Sequence, residues 1–188
     1  MQFRRRIRLS LLFALAAGFC CGCGLNRASD KYAFLGDSIT EGWALPRHNL
    51  GIYGQTSAQI LNRYPTQVHG HPYRRLYILA GTNDIWQQMD PDVTIANLAR
   101  IVDLAQADHI QPVLAEIPPM FIDGGRYQPA VRELNRRIVQ LAQSRQLPLV
   151  DYYDAIGNHR SYSSDGVHMK RRGYLAMEVA LVHASNPF

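Results

Sequence analysis

A serine hydroxyl becomes a nucleophile only when a base takes its proton, a third group orients that base, and hydrogen-bond donors await the charge that develops on the attacked oxygen. Residues of these types stand at short, ordered spacings in this chain. Ser38 follows Gly36-Asp37, directly after an apolar run. Asp165-Gly166-Val167-His168 sets a carboxylate three residues before an imidazole. At that spacing the acid can orient the ring while its other nitrogen faces a serine. Asn83, in Gly81-Thr82-Asn83-Asp84, offers a side-chain amide, and Gly54 offers a backbone N–H unobstructed by a side chain. Each block has a plain reading as well. Gly-Asp-Ser and Asp-Gly are common turn sequences, and Gly54 can serve a tight turn. Joint occurrence at the ends of expected strands favours chemistry.

The positioning elements alternate. Tyr32–Leu35, Asn49–Ile52, Leu76–Ala80, Pro112–Ala115 and Leu147–Val150 are short apolar runs expected as strands. Between them lie helical signals. Thr56 to Tyr64 reads as a helix ended by Pro65. Asp90-Pro91 reads as an N-cap followed by proline at the first helical position, with Ile95, Leu98, Ile101, Val102 and Ala105 as its buried stripe. Val131, Leu134, Ile138 and Leu141 mark another helix, and Tyr174 to Val182 a closing one. Continuously apolar strands separated by helices call for an α/β fold, a parallel sheet covered on both faces. Ligands in such folds bind beyond the carboxyl ends of the strands, where the Ser38 and Asn83 blocks stand.

Composition narrows the partners. The chain has 188 residues, 47% hydrophobic and 19% charged, which fits one folded domain. Its formal net charge of +5 includes Arg4, Arg5, Arg6 and Arg8, and is +1 without those four. A basic face for nucleic acid is therefore not expected. The four arginines precede an apolar stretch, Leu9 to Phe19, and then Cys20, Cys21 and Cys23, the layout of a bacterial export signal. Residues 1–22 are expected to be the leader. Cys23, preceded by Gly22, is the candidate lipid acceptor, although Cys20 stands where a lipobox has leucine; plain secretion remains open. The expected location is the bacterial cell envelope. With all three cysteines before residue 24, the domain spanning residues 31–185 holds neither a disulfide nor a cysteine metal site.

Four blocks together resemble the GDSL-type esterases and lipases of the SGNH hydrolase superfamily. They are Gly36-Asp37-Ser38-Ile39-Thr40-Glu41-Gly42, Gly51-Ile52-Tyr53-Gly54-Gln55-Thr56, Gly81-Thr82-Asn83-Asp84 and Asp165-Gly166-Val167-His168. They occur in the family's order, and the resemblance spans roughly residues 31 to 183. It implies a three-layer α/β/α fold around a five-stranded parallel sheet, and no metal or cofactor. Ser38 would be the nucleophile, His168 the general base and acid, and Asp165 its orienting group. The Ser38 and Gly54 backbone N–H groups and the Asn83 side chain would form the oxyanion hole. Gln55 departs from the aspartate common in the family and could change how its loop is braced.

The implied reaction is hydrolysis of a small ester or an acylated saccharide. Deacetylation of an envelope or plant polysaccharide, acyl transfer to an acceptor other than water, and a non-catalytic envelope binding protein are the competing readings. Short loops suggest a shallow, open cleft. Elsewhere, His69-Gly70-His71 reads as a solvated loop rather than a metal site. Glu116 ends a strand and is expected to hydrogen-bond a neighbouring loop. Trp86 is expected either to wall a pocket or to pack. Asp84 is expected to cap its own turn, and Arg136-Arg137 and Arg171-Arg172 to lie on solvated helix faces.

Overall fold

A computed structural model describes residues 31–44 and 48–185; the leader and Cys23 lie outside these residues. Five strands form one sheet: β1 (Tyr32–Gly36), β2 (His48–Gly51), β3 (Arg75–Leu79), β4 (Gln111–Ala115) and β5 (Leu149–Val150). All pairings are parallel, and the spatial order is β2-β1-β3-β4-β5. The chain thus reverses its direction of winding at β1. The crevice between the ends of β1 and β3 is the switch point where α/β sheets place ligands.

The α-helices are α1 (Ser38–Glu41), α2 (Ser57–Asn62), α3 (Tyr64–Gln67), α4 (Thr82–Trp86), α5 (Pro91–Ala107), α6 (Gln128–Ser144), α7 (Tyr152–Ile156) and α8 (Arg171–Ser185), the last two following β5. Asp90 caps α5 by accepting from the Asp92 N–H, with Pro91 opening the helix, as its sequence requires. Leu98, Ile101, Val102 and Ala105 of α5 and Val131, Leu134 and Ile138 of α6 are buried. These two helices pack on each other and on β4, while α8 packs on α7 and β5.

Strand side chains alternate between faces. Phe34 and Tyr77 are paired in register and stack, ring centroids 4.7 Å apart. Trp43 meets Phe34 edge-on at 5.7 Å, and Tyr152 of α7 and Tyr174 of α8 pack against Trp43. This aromatic cluster lies beside α1, whose Ile39 carbonyl accepts from the Tyr174 hydroxyl at 2.9 Å. The turn bearing Ser38 is therefore seated on a rigid apolar bed rather than on a free loop.

Gly36 permits the sharp reversal from β1 into α1. A Cβ there would stand 2.1 Å from Thr40 Oγ1 and 2.8 Å from the Leu79 carbonyl oxygen, too close for any side chain. One expected helix boundary differs. Pro65 does not end the segment from Thr56 but lies in the first turn of α3, after a break at Arg63. Proline lacks the N–H that a first helical turn leaves unused, so it starts a helix as readily as it stops one. The fifth strand is also shorter than its apolar run, with only Leu149 and Val150 paired.

Candidate active site

Ser38 is the first residue of α1, where the leading N–H groups of a helix have no partner within it. Asp37 caps this turn, its Oδ1 accepting from the Ile39 N–H at 2.9 Å. Asp37 is fully buried, and burial pushes its carboxyl up to about 6 against the opposing pull of the Ile39 N–H, the Thr82 hydroxyl and His168. Its Oδ2 has no partner within hydrogen-bond distance, although the Thr82 hydroxyl, likewise unpartnered, is near enough to favour the anion.

His168 reaches this turn from a loop 130 residues away in sequence. Its Nε2 is 3.0 Å from Ser38 Oγ, and its Nδ1 is 2.6 Å from Asp165 Oδ2. The other carboxylate oxygen accepts from the Val167 and His168 N–H groups at 2.9 and 2.8 Å. Partial burial works against ionisation of Asp165. The hydrogen bonds from the His168 ring and the two backbone N–H groups outweigh it and hold the carboxyl at about 2. An ionised carboxylate can only accept. The proton of a neutral His168 ring therefore sits on Nδ1, and Nε2 is left to accept from the serine hydroxyl.

The histidine loop is tied down on several sides. Ser163 Oγ donates to the His168 carbonyl at 3.0 Å and accepts from the Gly166 N–H at 2.8 Å. The Gly166 carbonyl accepts from the Phe121 N–H at 2.7 Å, linking this loop to the one leaving β4. That second loop is pinned to α6 by Asn135, whose side chain bonds both the N–H and the carbonyl of Ile117. The loop leaving β4 is thus hydrogen-bonded to a core helix at Ile117 and to the His168 loop at Phe121.

Gly54 and Asn83 close the opposite side. Gly54 has φ +72°, a conformation that disfavours any side chain, and nothing lies within 4 Å of where its Cβ would stand. Asn83 is held by one of its two amide protons, Nδ2 donating to the Gln55 carbonyl at 2.9 Å. The amide group has a second proton for a ligand. Ser38, Asp165, His168, Gly54 and Asn83 thus belong to one cluster beyond the carboxyl ends of the strands. The site opens to solvent: the side chains of His168 and Asp165 are 34% and 52% exposed.

Tyr53 flanks this opening, and a second exposed ring, Trp86, follows Asn83 on α4. Tyr53, next to Gly54, is 70% exposed and stacks on the His168 ring with centroids 5.9 Å apart. Trp86 is 46% exposed and stacks on Tyr127. It lies three residues beyond Asn83 in α4, so the two share a helix face. Sequence reasoning had singled out Trp86 but not Tyr53.

Arg63 is the residue that sequence reasoning missed. Its guanidinium is buried and donates to the Gln55 side chain and the Gly36 carbonyl, each at 2.6 Å, and to Gln67. Burial pushes its pKa down to about 10 against the favourable field of Asp37. The signal was available, because Arg63 is the only charged residue between positions 48 and 72. Gln55 is therefore braced through Arg63 although its side chain carries no carboxylate.

One further expectation was redirected by the fold. Asp84 does not cap its own turn: it is buried and accepts from the Ser57 N–H, the Ser57 hydroxyl and the Thr94 hydroxyl, tying α4 to α2 and α5. His69 pairs with Asp108 at 2.8 Å, and among the described residues no group of three His, Cys, Asp or Glu could hold a metal. Arg136 and Arg137 both bond Glu133, and Arg137 also bonds Asp92. Arg171 and Arg172 are exposed at the start of α8.

Glu116 is half-buried, and burial, with Asp151 and Asp154 nearby, pushes its carboxyl from the usual 4.5 up to about 7. Ionising it in the fold is thus unfavourable, so the stability it contributes is complete below pH 4.5 and is lost as pH rises through about 7. Glu116→Gln should raise Tm relative to the parent at pH 8 and leave it unchanged at pH 4, as read by thermal unfolding at both values.

A model of the GDSL-like lipase/acylhydrolase family matches residues 34–176. An arylesterase of Vibrio mimicus is 26% identical over 184 residues, covering 85% of this chain and 89% of that protein. The crystal structure of a GDSL-like lipase from Bacteroides thetaiotaomicron superposes with a TM-score of 0.76 at 28% identity, covering 86% of this chain and 91% of the other. A catalytic mutant of an acetylxylan esterase from Geobacillus stearothermophilus shares the fold, with a TM-score of 0.73 at 19% identity over 82% and 93% of the two chains. The four motif blocks, the parallel sheet and the match over most of the chain place it in one class: it belongs to the GDSL-like lipase/acylhydrolase family and is an ester hydrolase.

Proposed function

We propose that this chain is an exported serine esterase acting on small, exposed acyl groups through Ser38, His168 and Asp165. The observation that carries the reading is the relay of contacts, 3.0 Å from Ser38 Oγ to His168 Nε2 and 2.6 Å from His168 Nδ1 to Asp165 Oδ2. As Ser38 Oγ attacks the ester carbonyl, its proton passes to His168 Nε2. Asp165 stabilises the imidazolium that results. The carbonyl oxygen, now an anion, is held by the N–H groups of Ser38 and Gly54 and by the Asn83 amide. Collapse of this intermediate expels the alcohol, which takes the proton from His168, and leaves an acyl-enzyme. Water then attacks the acyl carbon and gives its proton to His168; the acid is released as the acyl–oxygen bond breaks and Ser38 Oγ takes that proton back from His168 Nε2.

The solvent-open histidine and the exposed Tyr53 and Trp86 support a substrate whose acyl group protrudes from a larger, partly solvated body. The exposed ring of Tyr53 beside His168 is suited to the apolar face of a sugar, which favours O-deacetylation of a saccharide as the second reading. Hydrolysis of p-nitrophenyl esters from acetate to palmitate should peak at the short end. A maximum at long chains would overturn the short-acyl reading. Trp86→Ala should lower kcat/KM on an acetylated oligosaccharide while leaving p-nitrophenyl acetate unaffected.

Export rests on the arginine-rich start and the apolar Leu9–Phe19 stretch, and anchoring on Cys23. Metabolic labelling with a palmitate analogue should mark the protein and be lost on Cys23→Ser. Unlabelled protein in the culture medium would favour plain secretion.

A further inference from the structure

The proposed oxyanion donors come from three separate segments: Ser38 at the end of β1, Gly54 in the loop after β2, and Asn83 in α4. Donors stabilise a transition state only when their mutual geometry is held before the reaction begins. The backbone ladder of the sheet reaches Gly36, whose carbonyl accepts from the Ile52 N–H at 3.1 Å, and goes no closer to Ser38 or Gly54, so a further lock is needed to join the three segments. Arg63 occupies the required place. Its Nη2 holds the Gly36 carbonyl, two residues before Ser38. Its Nε holds the Gln55 side chain, one residue after Gly54. The Gln55 main-chain carbonyl in turn holds the Asn83 amide at 2.9 Å. One planar cation thus spans the nucleophile turn and the Gly54 loop, and reaches Asn83 through a single residue.

We infer that Arg63 is the positioning residue of the oxyanion hole, setting Gly54 and Asn83 against Ser38 through Gln55. The inference rests on the Ser38 reading above. It gives a role to a buried charge that is otherwise costly, since an arginine loses hydration that only well-formed hydrogen bonds restore. It also accounts for Gln55. A neutral amide accepts from Nε while its backbone carbonyl serves Asn83, so the brace does not need a carboxylate at this position.

Lysine keeps the charge at this position but lacks the fork that reaches two acceptors in fixed directions. Arg63→Lys should lower kcat about 10- to 100-fold with KM little changed, the size expected when catalytic groups shift by about 1 Å. An alkylboronic acid, which forms a tetrahedral adduct on a serine, should bind the variant more weakly by a comparable factor. A merely structural role would lower the melting temperature and the active fraction, which active-site titration with a fluorophosphonate counts, but would leave kcat per titrated site and the boronate affinity unchanged.

The decisive comparison is a double-mutant cycle with Asn83→Ala. Because Arg63 acts through the donor set, Arg63→Lys should cost much less in the Asn83→Ala background than alone. Full additivity of the two losses, or wild-type kcat in a folded Arg63→Lys protein, overturns the inference. Gln55→Ala, which removes only the accepting side chain, should reproduce part of the kcat loss if the lysine variant does not fold; wild-type kcat there also overturns it. Failure of the Ser38 reading is seen separately, as esterase activity that survives Ser38→Ala.

Discussion

Ser38→Ala should lower kcat by about 10⁴- to 10⁶-fold, His168→Ala should cost as much, and the double variant should lose no more than either. The reason is that the two act as one device. Without Nε2 the hydroxyl keeps its proton, and without the hydroxyl the base has nothing to activate. The fold should survive both changes. Ser38 takes part in α1 through its backbone, with Asp37 supplying the cap, and the His168 loop is held by backbone groups and Ser163 rather than by the imidazole. Steady-state rates on p-nitrophenyl acetate, with thermal unfolding to confirm the native state, measure the effect. Independent, multiplying losses would mean that the contact at 3.0 Å is not the working pair.

Asn83→Ala should lower kcat about 100- to 1000-fold while changing KM little. An amide proton aimed at the developing anion stabilises the transition state more than the bound ester, so its loss appears in turnover. Asn83→Asp should be worse than alanine. A carboxylate cannot donate, and it would repel both the Gln55 carbonyl and the oxyanion. The neighbouring Asp84 keeps its bonds to Ser57 and Thr94 in either variant, so α4 should remain in place. Unaltered turnover in Asn83→Ala would remove Asn83 from the oxyanion hole.

The parts of the fold legible in sequence are those dictated locally. Runs such as Phe34-Leu35 and Leu76-Tyr77-Ile78-Leu79 are apolar without alternation because they are buried on both faces, and they end in Gly36 and Ala80-Gly81 where the chain must turn. The α5 start was legible for the same reason, since Asp90 and Pro91 act on their own backbone. The Ser38, Gly54, Asn83 and Asp165–His168 blocks were legible as motifs, and the fold gathers them beyond the carboxyl ends of the strands.

What stayed hidden depends on partners distant in sequence. Asp84 looks like any turn aspartate until Ser57 and Thr94 arrive from two other helices. Arg63 stands out in sequence only as a lone charge, and its role is hidden because Gly36 lies 27 positions away. Tyr53 meets His168 only after the whole domain has closed. Pro65 misled for a local reason: its missing N–H fits both a helix end and a helix beginning, and only the break at Arg63 decides between them.

The most direct test of the central claim is covalent labelling of the native protein with a fluorophosphonate, followed by mass spectrometry of its peptides. An activated serine attacks phosphorus and is trapped, whereas an ordinary serine does not react. The account predicts one adduct, on the peptide carrying Ser38, absent from Ser38→Ala and greatly slowed in His168→Ala. A folded protein that takes up no label, or takes it up at another residue, would contradict it.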